Sequence, residues 1–140
     1  MKRPHAMTPV LVKDESLIEP ALHDARLCRI DFGGKQVTCY FEDPSGQRIK
    51  LDMHDVVQMS SHGLAEANIL LDISVETGPA VRHEIVERLI SGSSPVQEKH
   101  RGALIARLLS RELSLIQFSP SYGGEITVIC KTMSYCTVDV

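Results

Sequence analysis

The sequence predicts an α+β fold: an antiparallel β-meander sheet of about 6–7 strands with a two-helix hairpin packed on one face. Three observations predict it. The first third of the chain alternates apolar and polar residues between compact turn signals. Residues 80–112 switch to helical periodicity. The last third returns to strand-like runs.

Cys28, Ile30 and Phe32 alternate with Arg29 and Asp31, the period of a half-buried strand. Gly33-Gly34 follows as a two-residue hairpin signal. Val37, Cys39 and Phe41 then alternate with polar neighbours. A turn there sets Ile30 against Val37 and Cys28 against Cys39, with both apolar sets on one face. Asp43-Pro44-Ser45-Gly46 is the next turn, with Pro44 suited to its second position and Gly46 to a left-handed residue. Pairing Asp43 with Gln47 opposes Phe41 to Ile49, Cys39 to Leu51 and Val37 to Met53. Arg48, Lys50 and Asp52 then face water.

Residues 55–60 read as a short fourth strand, and residues 69–76 as a further one with Ile69, Leu71, Ile73 and Val75 facing in. Val81, Ile85, Val86, Leu89 and Ile90 form a helical stripe that Gly92 is placed to stop. Ser94-Pro95-Val96-Gln97 has the form of a capping box, opening a second helix that runs to about Glu112. It buries Leu104, Ile105, Leu108 and Leu109, and the two helices should lie on the dry face of the sheet. Residues 113–118, 126–131 and 135–140 close the chain as strands. Residues 1–13 read as a poorly ordered tail, and residues 14–140 as one domain.

At 140 residues the chain can bury a core without staples. With no tryptophan and 4% aromatic residues, that core must be aliphatic. A net charge of −3 argues against a nucleic-acid partner. The longest apolar runs fall far short of the ~20 residues of a membrane helix, and no secretory leader is evident. A cytoplasmic protein is therefore expected. Cys28, Cys39, Cys130 and Cys136 lack any C-x-x-C spacing, so they read as reduced, mostly buried thiols rather than zinc ligands or a disulfide framework.

Chemistry-bearing motifs are sparse. His83-Glu84-Ile85-Val86-Glu87 starts like H-E-x-x-H but has Glu where the second His belongs, and it lies opposite the apolar stripe as a solvated face. His54-Asp55 and Ser61-His62 place reactive types side by side, yet neighbours on a strand point to opposite faces. The glycines of the 119–124 loop, Ser-Pro-Ser-Tyr-Gly-Gly, invite an anion. Glu125 follows where a phosphate site would want a lysine or a helix start, so a tight turn is the better reading. No catalytic residue, metal site or cofactor is expected. For partner binding the candidates are the acids Glu42, Asp43, Asp72 and Glu76, with Tyr40 on the wet face and Tyr122 in the glycine loop.

Residues 25–57 with their two hairpins, Asn68-Ile69-Leu70-Leu71-Asp72, and residues 118–130 together resemble small cytoplasmic bacterial immunity proteins of polymorphic-toxin and contact-dependent inhibition systems. That resemblance is one of layout. It implies a non-catalytic protein that binds and neutralises a cognate toxin. An acidic, motif-free domain suits a protein-binding module, since acidic surface steers basic partners. Two other readings stand beside it: a carrier with an apolar cavity between sheet and helices, and an enzyme with a dispersed site built from His54, His62 or Tyr122. Edge strands also offer a route to a homodimer.

Overall fold

The computed structural model describes residues 7–65, 67–91 and 100–138. Among them, eleven strands and two short helices form a β-rich fold. The expected meander of 6–7 strands carrying a helical hairpin on its dry face is thereby corrected. The strands are β1 (Thr8–Pro9), β2 (Leu11–Lys13), β3 (Ser16–Glu19), β4 (Arg26–Gly33), β5 (Gln36–Glu42), β6 (Arg48–His54), β7 (Gln58–His62), β8 (Ile69–Glu76), β9 (Ser114–Tyr122), β10 (Glu125–Cys130) and β11 (Thr132–Val138). The helices are α1 (His83–Ser91) and α2 (Arg101–Leu109). Residues 92–99, with Gly92 and the capping-box motif, lie outside the described residues. None of the described helices is long and apolar enough to cross a membrane.

Pairing runs β1-β11-β6-β5-β4-β8-β9-β10-β7, antiparallel throughout, with β3 joined to β8 and β2 to β3. The register of β5 with β6 is the one that the turn at Asp43 dictates: Phe41 opposes Ile49, Cys39 opposes Leu51 and Val37 opposes Met53. Between β4 and β5 the faces agree with expectation but the register moves by two residues. Gly34 takes the first central position of the turn at φ +60°, so Gly33 closes against Gln36 and Phe32 opposes Val37. Ile30, not Cys28, therefore opposes Cys39, and a bulge at Cys28 beyond it sets Leu27 against Phe41. Cys28 is consequently exposed, while Cys39, Cys130 and Cys136 are buried and all four are free.

The sheet folds back on itself. The strand passing from β6 into β7 pairs along its length with the strand passing from β10 into β11. At the bend, the Lys131 N–H donates to the His54 carbonyl at 3.0 Å and the Val57 N–H to the Ile129 carbonyl at 2.9 Å. The meander thus faces β8, β9 and β10 across a shared interior. Leu51, Met53 and Phe41 meet Ile116, Phe118 and Val128 there, with the Phe41 and Phe118 rings 6.0 Å apart. This is why no helix covers the dry face: the second half of the sheet does.

The helices pack instead on the far side of β9 and β10. Val81, Ile85, Val86, Leu89 and Ile90 are all buried, as their stripe predicts. Leu108 joins them against Leu113, Leu115 and Ile129, whereas Leu109 is exposed. Residues 8–13, within the stretch read as a tail, form β1 on β11 and β2 on β3.

Candidate functional site

β3 and β8 pair only at Ser16 and Ser74. β3 then swings away, and the chain returns to β8 at Asp24 and Ala25, where the Asp24 N–H donates to the Leu70 carbonyl and the Leu70 N–H to the Ala25 carbonyl, each at 2.9 Å. The arch between those two contacts leaves a groove of about 420 Å³. Its wall is apolar: Leu17 and Ile18 from β3, Leu22 from the arch, Leu71 and Ile73 from β8.

Two apolar side chains there are half in water, Ile18 at 43% and Leu71 at 49% exposure. Leu71 owes its position to a second bulge. Leu70 opposes Pro120 and Asp72 opposes Ser119, so Leu71 is the extra residue and turns outward. The sequence pattern assigned Leu71 to the interior; the structure buries Leu70 instead. His23 closes one end, its Nδ1–H donating to the Leu71 carbonyl at 2.6 Å, a role only the protonated nitrogen can fill. Asp72 lines the groove, and the exposed Glu19 and Asp24 adjoin its lining residues Ile18 and His23 in sequence. Asp24 lies 3.5 Å from the His23 ring.

Of the six residues singled out in the sequence, Asp72 alone borders this groove. Tyr40 is half-buried on the outer face of β5, with the Arg29 guanidinium 5.5 Å from its ring centre. Glu42 is shared by Arg26 at 3.6 Å and Arg48 at 3.9 Å. Asp43 serves its own turn. It accepts from the Ser45 hydroxyl at 2.6 Å and from the Ser45 and Gln47 N–H groups at 2.9 Å each. The Ser45 hydroxyl, helped by those backbone donors, holds the carboxyl below its ordinary range. Glu76 is buried beneath the start of α1. Tyr122 projects into solvent at the end of β9. Ile18, Leu71 and His23 escaped sequence reasoning, because the bulge and the arch that gather them are long-range features.

The residues of the dispersed-site reading lie apart. His54 sits at the end of β6 with its Nε2 2.8 Å from the Ser134 hydroxyl. His62 lines a small recess of about 40 Å³ beneath α1, with Ser60 and Arg88. Tyr122 is at the β9–β10 turn. In α1, Glu87 pairs with Arg101 at 2.8 Å, and His83 is exposed. No group of three or more His, Cys, Asp or Glu side chains suited to a metal ion occurs among the described residues.

No protein-family model matches the chain, and no curated protein or solved structure matches it.

Proposed function

We propose that the chain is a protein-binding module that docks a basic partner protein on the groove between β3 and β8. The observation that supports it is the half-exposed Ile18–Leu71 floor beside Asp72, with the exposed acids Glu19 and Asp24 next to lining residues along the arch as its rim. Apolar contact supplies the affinity of such a site, and the rim supplies on-rate and partner choice. Within this reading, a cognate toxin that the chain neutralises is the partner that the resemblance of the sequence implies. The carrier reading draws less support, since the middle of the sandwich is filled by Phe41, Phe118 and their neighbours.

The test is a tagged pull-down from source lysate at low salt, run beside the Ile18→Lys/Leu71→Lys variant. Expected is one stoichiometric partner, released as salt rises and retained at least about 30-fold more weakly by the variant. An empty column, or equal capture by the folded variant, would overturn the reading.

A further inference from the structure

A second surface lies on the free edge of β4. β4 pairs with β5 along its length, but its other edge meets β8 only at Arg26, opposite Ile69, with one more bond from the Leu27 N–H to the Asn68 carbonyl at 2.8 Å. Residues 28–33 have no strand partner on that side among the described residues. Because Gly33 and Gln36 close the two-residue turn as a hydrogen-bonded pair, alternation sends the backbone groups of Arg29 and Asp31 toward β5. Those of Ile30 and Phe32 point to the open edge. Phe32 is 70% exposed, the highest value among the described large apolar residues.

Between Arg29 and Phe32 the edge carries no proline and no block of like charge, two of the usual defences against pairing, and the bulge at Cys28 bounds this regular stretch. Its charges are instead complementary to themselves. An antiparallel partner strand of the same sequence, centred on Ile30, sets Arg29 across from Asp31 of the other copy, and Asp31 across from its Arg29. The two Ile30 residues meet at the axis, and Phe32 reaches the end of the regular stretch, where the bulged Cys28 of the other copy stands. The Arg29 guanidinium already holds Asp31 at 2.7 Å within one chain, so the pairing builds a ladder of four alternating charges. The neighbouring registers fail: centring on Arg29 or Asp31 opposes like charges, and centring on Phe32 sets Arg29 against Lys35.

We infer that a second copy of this chain pairs with the free edge of β4, two-fold about Ile30, to form an isologous dimer with one continuous sheet. This surface is separate from the groove between β3 and β8, so either proposal can fail alone.

Sedimentation equilibrium across a wide concentration range tests it, on wild type, Asp31→Arg, and the Arg29→Asp/Asp31→Arg exchange. Wild type should dimerise. Asp31→Arg should raise the dissociation constant about tenfold or more, since both cross-strand pairs become repulsive. The exchange restores every pair with reversed sign and should restore the dimer. Ile30→Pro removes an outward N–H without touching the ladder to β5, and should abolish dimers in a chain that circular dichroism shows to be folded. A monomer at every concentration, an edge that takes up only a foreign extended peptide, or a dimer indifferent to Asp31→Arg would overturn the inference.

Discussion

Glu76 is only 5% exposed, and a carboxylate so placed needs partners. Arg82 supplies them from one residue: its backbone N–H donates at 3.0 Å and its Nε at 2.6 Å. The same guanidinium reaches the Gln117 side-chain oxygen at 2.8 Å, and the Gln117 amide donates onward to Glu125 at 2.7 Å. The chain of contacts ties the start of α1 to β8, β9 and β10. Arg82→Ala leaves Glu76 with one donor fewer, and urea unfolding should report a loss of about 2 kcal/mol. Thiols provide a second readout at this scale. Burial, followed by the charge of Asp52 for Cys39 and of Asp55 for Cys130, pushes both up to about 12. Iodoacetamide at neutral pH should therefore label Cys28 first and reach Cys39 and Cys130 only in denaturant. The unfolded chain releases these protons near the ordinary thiol value of about 8.5, before the native one does. Their contribution to stability is thus intact below about 8.5 and declines as pH climbs toward 12. Little of the groove was legible at single positions. Asp72 was found because acids are visible in a sequence, whereas an outward Leu71 is visible only through a bulge.

At the scale of elements, legibility follows how local the cause is. The β5–β6 register is set by Asp43 and its own turn, four residues apart, and is recoverable from pattern alone. The buried stripe of α1 is likewise a local period. What escapes is wherever the ladder gains a residue, as at Cys28 and Leu71, since alternation read straight through a bulge assigns the wrong face. The segment 119–122, expected as a loop, extends β9 beside β8 and leaves Gly123-Gly124 as the turn. That turn is latched by Asn68, whose Oδ1 accepts from the Gly124 N–H at 3.0 Å and the Ala65 N–H at 2.9 Å. Gly123 is required there: its φ is +90°, and a Cβ would come within 2.5 Å of the Asn68 Oδ1. Asn68→Ala should cost about 1–3 kcal/mol by losing these acceptors. Gly123→Ala should lower the melting temperature as well, and calorimetry of both variants checks the pair.

For the molecule as a whole, the number of layers depended on contacts that no window of sequence contains. The dry face of β5 and β6 was readable in Val37, Cys39, Phe41, Ile49, Leu51 and Met53, although Asp52, expected in water, is buried; which face meets which was not readable. An apolar meander face is satisfied equally by helices or by another sheet, and here Ile116, Phe118 and Val128 reach it first. The N-terminal strands also belong to this closure. Val10 packs on the main core, and Val10 and Val12 border Val75, Ile116 and Met133 where the two halves of the sheet would otherwise gape. Truncation to residue 14 should therefore destabilise the domain by about 1–3 kcal/mol, measured as a lower urea midpoint with a similar slope.

The bent strands that cross from one half of the sheet to the other also set how the native state breathes. Neither half can open while the other stays closed, because the ladder through His54, Val57, Ile129 and Lys131 belongs to both. Local fraying should stop at that corner. In native-state hydrogen exchange the amide protons of Val57 and Lys131 should be among the last to leave. Their opening free energies should equal that of global unfolding, while those of β1 and β2 fall well below it.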